Sequence, residues 1–304
     1  MPIPEVSKIW MNGELVDWKD AKVHILTHAL HYGSGVFEGI RAYDTKKGTH
    51  VYRLTEHIMR LMRSAKIYMM DVPYSIEELV QATKEVIKAN DLESCYIRPI
   101  IYRGYGEMGL FPLQAPVDVA IAVWPWGTYL GDDGIKHGIR AKISSFRRFG
   151  PNSMPPAAKA TGQYINSSLA KVEAVKAGYE EAILLDDQGN LSEGSGENLF
   201  VVRNGVVATP STSCDVLEGI TADTVFTICR DEGIPLQQKV MVRSDLYVAD
   251  EAFLTGTAAE IVPLREVDDR VIGEPGPITR KIQDIFYGII KGENEKYGDY
   301  LEWV

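Results

Sequence analysis

Strand-like runs joined by two-residue turns constrain this chain most. Residues 8–16 read as a hairpin turning at Asn12-Gly13, and Asn204-Gly205 separates 198–202 from 206–209. Asp268-Asp269 separates 261–267 from 270–272 in the same way. An Asn-Gly pair tolerates positive φ at both positions, which a two-residue hairpin turn requires. Strands connected so tightly can only pair antiparallel; a parallel neighbour needs a long crossover. The expected class is therefore α+β with antiparallel-rich sheets and packed helices, not a doubly wound parallel sheet.

Helical spacing occurs between these runs. A helix is expected over 24–32 and another from a cap at Thr55 to about Met69, with Ile58, Leu61, Met62 and Ala65 on one face and Arg60 and Arg63 off it. Ser75-Ile76-Glu77-Glu78 is a capping box, opening a helix that ends near Asn90. Further helices are expected over 221–232 and 277–290. Residues 95–103, 118–124, 139–146, 181–185 and 252–255 read as strands, with 118–124 apolar enough for burial on both faces.

At 304 residues the chain exceeds one ordinary core. The glycines of 126–134 make the best linker, so the expected division is a small α+β domain over 1–125, an interdomain loop over 126–135, and a large α+β domain over 136–304. The net charge of −10 argues against nucleic acid and acidic membranes as partners. Three cysteines, an odd number without a CxxC pair, suit a reducing, cytoplasmic location. The N-terminal residues lack the basic and apolar regions of a signal peptide, and no apolar run approaches the ~18 residues of a membrane span. His24, His28 and His31 have spacings a metal would accept but no accompanying glutamate, and packing is the preferred reading.

The chemistry concentrates around Lys159, which lies in Ala157-Ala158-Lys159-Ala160-Thr161-Gly162 and is expected to open a helix carrying Ile165, Leu169, Val172 and Val175 on one face. An amine among small residues, taken out of water, becomes a nucleophile toward carbonyls, as in a Schiff base with pyridoxal phosphate. Tyr164 follows a little over one helical turn later. A phosphorylated cofactor also needs an anion site. Residues 217–221 lead into a helix N-terminus, where free amides and the dipole attract anions, although Thr221 also reads as a plain cap. Residues 254–259 form a second small-residue turn, and Arg60 is a candidate cation that also reads as a solvated arginine. Glu193 lies in a glycine-rich turn, available to a ring nitrogen or simply solvated. Tyr96 and Arg98 share a strand face, which is either a carboxylate grip or a wet face.

Together, HALHYGSGVFEGIRAY (28–43), EHIMRL (56–61), YIRP (96–99), AAKATGQY (157–164), SEGSGENLF (192–200), GIT (219–221) and GTAAEI (256–261) resemble the branched-chain amino acid aminotransferases of pyridoxal-phosphate fold type IV, over nearly the whole chain. The resemblance implies that Lys159 is the Schiff-base lysine and proton shuttle, that Glu193 pairs with the pyridine nitrogen, and that Tyr164 bonds the ring hydroxyl. It implies a phosphate held by Arg60, Ile220, Thr221 and Thr257, with Leu217, Gly219 and Gly256 completing the cofactor positions. It places the substrate α-carboxylate at Tyr96 and the amides of Thr257 and Ala258. Phe37, Gly39, Met108, Leu110, Trp126 and Tyr129 would shape the side-chain pocket, with Tyr32 and Leu110 reaching across from a partner subunit. The implied reaction is ping-pong transfer between leucine, isoleucine or valine and 2-oxoglutarate, by a homodimer or a higher oligomer such as a hexamer, with no metal. Arg98 is expected to meet the second carboxylate of glutamate, which is costly to bury unpaired. Rival readings within the fold are a D-amino acid or (R)-amine transaminase and an aminodeoxychorismate lyase. A non-catalytic binder leaves Lys159, Glu193 and Arg60 unexplained as a set.

Overall fold

The computed structural model describes residues 3–127 and 131–304. Contacts divide them into two units, the first comprising 3–127, 158–163 and 289–304, the second 131–157 and 164–288. The first unit's leading segment ends at Gly127. The structure differs from the expected division in two places, because 158–163 with Lys159, and the C-terminal 289–304, belong to the first unit. Tyr129 lies outside the described residues.

In chain order the first unit contains β1 (Lys8–Met11), β2 (Glu14–Asp17), α1 (His28–Tyr32), β3 (Gly35–Phe37), β4 (Ile40–Thr45), β5 (Gly48–Tyr52), α2 (Leu54–Ile67), α3 (Ile76–Ala89), β6 (Cys95–Arg103) and β7 (Val117–Trp124). The second contains α4 (Gly131–His137), β8 (Ile139–Arg147), α5 (Tyr164–Lys176), β9 (Glu181–Leu185), β10 (Leu191–Gly194), β11 (Asn198–Arg203), β12 (Val206–Pro210), α6 (Ile220–Asp231), β13 (Leu236–Lys239), α7 (Arg243–Tyr247), β14 (Glu251–Gly256), β15 (Glu260–Val267) and β16 (Arg270–Val271). Helix α8 (Pro277–Ile290) follows, and β17 (Leu301–Trp303) ends the chain.

The first unit is built on an eight-stranded sheet ordered β17-β5-β4-β6-β7-β1-β2, with β3 also on β6. The hairpin turn at Asn12 and Gly13 has φ of 49° and 97°, as the Asn-Gly pair predicts. Long β6 pairs with β7 from Tyr96–Trp124 to Arg103–Val117. Ile97, Ile101, Val119, Ile121 and Val123 join Ile58, Leu61 and Ala65 of α2 and Leu79, Val86 and Ile87 of α3 in one apolar cluster. Strand β7 alternates rather than being buried on both faces, since Ala120 and Ala122 are only half-buried. The capping box of α3 is formed: Glu78 N–H donates to Ser75 Oγ at 3.2 Å, and Ser75 N–H to Glu78 Oε2 at 2.6 Å. Thr55 is not the cap expected for α2. Its N–H and Oγ1 donate to the Glu302 carboxylate at 2.6 and 2.9 Å, tying down β17, while Arg53 takes the cap position with φ of 50°. Helix α1 is shorter than expected and stops at Gly33 in left-handed conformation.

Two contacts explain why 158–163 belongs to this unit. Phe37 N–H donates to the Lys159 carbonyl at 3.0 Å, and Ala160 bridges Val36. Gly33 (φ 63°) and Gly162 meet so closely that a Cβ on Gly33 would lie 2.8 Å from the Gly162 Cα.

The second unit is a nine-stranded sheet ordered β10-β9-β8-β15-β14-β11-β12-β13, with β16 on β15. Strand β10 also pairs with β11 through Glu193 and Asn198, closing six strands into a ring. Pairing is mostly antiparallel; β8 with β9, β8 with β15, and β12 with β13 are parallel. Glu193 thus sits on a paired strand, not in the flexible turn expected.

Lys159 does not open a helix. A short 3-10 turn at Thr161–Gln163 precedes α5, so the helical phase expected to relate Lys159 to Tyr164 does not exist. Helix α5 turns the opposite face inward from the one its apolar stripe suggests. Ser167, Ala170 and Ala174 are buried, whereas Ile165, Leu169, Val172 and Val175 are exposed. Ala170 and Ala174 pack with Ala182 and Leu184 of β9, so small residues let the helix lie close to the sheet. No described helix is long and apolar enough to cross a membrane.

Candidate active site

In the first unit, three polar residues of α2 form a buried stripe: His57, Arg60 and Ser64. Spacings of three and four put them on one helical face. Ser64 Oγ accepts the Lys159 backbone N–H at 3.1 Å. With the Phe37 N–H on its carbonyl, the lysine main chain is held from both sides, and its Nζ lies 5.3 Å from the Phe37 ring centroid.

Arg60 is buried, not solvated. Its Nε and Nη2 donate to the two Glu38 oxygens at 2.7 and 2.8 Å, and His57 Nδ1 lies 2.9 Å from Glu38 Oε2. Burial resists ionisation of Glu38, but the Arg60 charge and hydrogen bonds outweigh it and hold its pKa well below the carboxylate range. Burial pushes His57 down, against the opposing pull of Glu38. Sequence reasoning misses Glu38 and His57; the one signal available is His57 three residues before Arg60 on one helix.

The structure brings Phe37, Tyr96, Arg98 and Trp126 together. Arg98 Nη2 donates to Tyr96 Oη at 3.1 Å, and its guanidinium lies 4.7 Å from the Phe37 ring centroid. The Trp126 ring is 5.0 Å from that of Tyr96, and Trp124, not singled out from sequence, is 5.1 Å from it. Arg98 Nε is buried without a partner among the described residues. Gly39 gives Tyr96 its place: a Cβ there would lie 2.0 Å from the Tyr96 hydroxyl. Met108 and Leu110 are exposed in the loop after β6, Leu110 at 91%, and Tyr32 is exposed at the end of α1. His24 and His31 bond locally, Leu26 N–H donating to His24 Nδ1 and His31 meeting the Ile25 carbonyl, while His28 meets Ser34 and the distant Gly109 carbonyl. Among the described residues no group of three or more His, Cys, Asp or Glu side chains is placed to hold a metal ion.

In the second unit Glu193 is buried with donors on both oxygens. Arg148 Nη2 meets Oε1 at 2.6 Å, while Leu217 N–H and Asn198 Nδ2 donate to Oε2 at 3.0 and 3.2 Å. Asn198 also donates to the Leu217 carbonyl at 2.8 Å, fastening the 217–219 turn to β11. Leu217 therefore acts on the carboxylate. Arg148 escapes sequence reasoning because nothing local marks it, while Asn198 lies within the 192–200 motif but no role is read for it there. Gly219 caps α6 without a side-chain bond, so Ile220 and Thr221 open the helix where amides and dipole favour an anion; Thr221 is in its first turn, not its cap. Gly256 ends β14, and Thr257 and Ala258 form the half-buried turn to β15. Tyr164 is the first residue of α5 and half-buried.

Glu197, beside these turns, is buried near a second acid. Glu181 receives Lys171 Nζ at 2.5 Å and the Ser195 hydroxyl at 2.6 Å. Burial first, then the Glu181 charge, pushes the pKa of Glu197 up to about 8, with Lys171 and the Gly196 N–H opposing and Glu193 adding. The folded state therefore binds this proton more tightly than the unfolded chain. Its contribution is complete at and below the ordinary carboxylate range and is lost as pH rises toward 8. Glu197→Gln is expected to match the parent protein near the ordinary carboxylate range and to exceed it at pH about 8 by at least the ~1.4 kcal/mol of one unit. Denaturant melts at both pH values decide this; a difference that does not grow with pH refutes it.

The ring-closed second sheet, the lysine strapped to the first, and the paired Tyr96 and Arg98 define a chain with the parts of an aminotransferase. The family model for amino-transferase class IV matches residues 35–267, and the chain belongs to that family. It is 48% identical over 307 residues to the branched-chain-amino-acid aminotransferase of Escherichia coli strain K12, covering all of this chain and 99% of that protein. The crystal structure of the Escherichia coli enzyme superposes with a TM-score of 0.96 at 48% identity, covering 98% of this chain and 99% of that one. The branched-chain aminotransferase of the archaeon Thermoproteus uzoniensis, with norvaline, gives 0.94 at 48% identity, covering 97% of this chain and 98% of that one. The Thermobaculum terrenum enzyme in its PLP form gives 0.92 at 33% identity, covering 98% of each.

Proposed function

We propose that this protein is a pyridoxal 5'-phosphate-dependent transaminase that moves the amino group between leucine, isoleucine or valine and 2-oxoglutarate. The observation that carries this is Lys159, fixed by Ser64 and Phe37 with its amine beside an aromatic wall, in a chain nearly half identical over its full length to a branched-chain enzyme.

The residues fit the cofactor's chemistry. The first unit offers an amine for an aldehyde and a buried guanidinium for a phosphate. The second offers a fixed carboxylate for a protonated ring nitrogen and an uncapped helix start for an anion. When bound, pyridoxal phosphate supplies the electron sink that lets the substrate's α-proton leave. Lys159 would hold the cofactor and carry that proton. Glu193 would keep a proton on the ring nitrogen, and Tyr164 would donate to the ring hydroxyl. Arg60, Ile220, Thr221 and Thr257 would hold the phosphate. Tyr96 and the amides of Thr257 and Ala258 meet the substrate α-carboxylate, and Phe37 and Trp126 give the apolar walls.

The cofactor-loaded protein should convert leucine and 2-oxoglutarate to glutamate and the matching 2-oxo acid. Turnover of D-amino acids or (R)-amines with none of leucine would reject the reading. Arg98, with its buried unpartnered Nε, is assigned to the second carboxylate of glutamate. Arg98→Ala is expected to lower kcat/KM for glutamate by about 10–100-fold, the scale of a charge-assisted hydrogen bond, and for leucine by less than about 3-fold. Equal losses with both substrates remove the assignment. A homodimer or higher homo-oligomer suits the exposed Tyr105, Leu110 and Phe111 of one loop. Three unbridged, buried cysteines suit the cytoplasm.

A further inference from the structure

Burial of the Glu38–Arg60 pair is weak evidence for a role in stability. A buried ion pair is usually matched or bettered by well-packed apolar residues of similar volume, because desolvation consumes its attraction. Glu38 is nonetheless fully buried just after β3, with its own N–H on the Pro99 carbonyl. It grips Arg60 through two nitrogens and takes His57 as well. His57 Nε2 has no partner among the described residues, so the imidazole is committed to the carboxylate. A two-point grip fixes the plane and direction of a guanidinium.

Arg60 and Ser64 stand one turn apart on α2, about 6 Å along the axis. Ser64 holds the Lys159 main chain. The same helix thus sets both the lysine and the arginine. A rigid ligand gripped by an amine at one end and, through its phosphate, by a guanidinium at the other requires those two anchors at a constant separation.

We infer that Glu38 is a positioning residue for the cofactor phosphate, acting through Arg60. The inference rests on the reading of Arg60 as a phosphate ligand. Glu38 does not touch the phosphate; it locks the guanidinium and offsets its charge until a phosphate arrives. His57 in turn holds Glu38.

Comparing two ligands separates positioning from general support. Pyridoxal 5'-phosphate and pyridoxal, which lacks the phosphate, are titrated into the full chain stripped of cofactor, and the ratio of their dissociation constants reads the phosphate contribution. Glu38→Gln is expected to weaken pyridoxal phosphate about 10–100-fold and pyridoxal by less than about 3-fold, which narrows the ratio. Glu38→Asp, which keeps the charge but shortens the reach, is expected to narrow it less. Arg60→Gln must narrow it at least as much as Glu38→Gln. If Arg60→Gln leaves the ratio unchanged, the reading of Arg60 itself fails. If Arg60→Gln narrows the ratio and Glu38→Gln does not, or weakens both ligands equally, the positioning role of Glu38 is overturned. Should Glu38→Gln not fold, Glu38→Asp decides alone, and a ratio equal to that of the parent protein overturns the inference.

Discussion

Replacing Lys159 by alanine is expected to slow amino-group transfer from leucine by about 10⁴-fold or more, because in the proposed reaction one side chain would serve as both covalent anchor and proton carrier. The fold should survive. The bonds that place residue 159 are main-chain ones, from Phe37 N–H to its carbonyl and from its own N–H to Ser64 Oγ, and alanine keeps both. The melting temperature should therefore change little while single-turnover transfer collapses. Lys159→Arg should fail equally, since a guanidinium does not give up its proton in a protein. A small primary amine added to Lys159→Ala should restore part of the proton transfer. Borohydride reduction and peptide mapping of the parent protein should find the cofactor mass on the peptide containing Lys159. Label on another lysine, or a Lys159→Ala rate within about tenfold of the parent, ends the assignment.

The second large effect belongs to Glu193, and it divides into stability and rate. Glu193 and Arg148 are both buried and meet at 2.6 Å. Removing one partner of such a pair leaves the other charged and dry, at a cost of about 3–5 kcal/mol. Glu193→Ala should show that cost in a denaturant melt, and Arg148→Met should recover much of it by replacing the stranded cation with an apolar chain. For rate, Glu193→Gln keeps an oxygen for the Leu217 amide but removes the negative charge. If Glu193 holds a ring proton, Glu193→Gln should lower kcat by about 10²–10³-fold, the scale of one preorganised electrostatic contact. Arg148→Met leaves that charge in place and should lower kcat far less. Equal losses in the two variants would reduce Glu193 to a structural partner of Arg148.

The difference between Glu193 and Glu38 shows what can be read in advance. Glu193 is legible because SEGSGENLF sets it in a glycine-bearing motif, although its strand pairing is not visible there. Glu38 lies within an equally distinctive segment, yet its partners His57 and Arg60 come from α2, and only burial reveals that three polar groups converge. Arg60 stands out in the sequence as a candidate cation, while its placement off the apolar stripe suggests solvent. The structure buries it because Glu38 cancels its charge.

By itself the sequence determined the short-range features: the Asn12-Gly13 and Asn204-Gly205 turns, the α3 capping box, the extent of β6, and the α+β class. These follow from φ preferences, one-turn hydrogen bonds and strand connections, all of which act over a few residues. Only the tertiary structure decided that Lys159 belongs with the first unit, that α5 turns its alanines inward, and that Glu193 faces Arg148. Each depends on what distant chain occupies the neighbouring volume. Desolvation, close packing and charge pairing are fixed by that volume, and local residue patterns do not encode it.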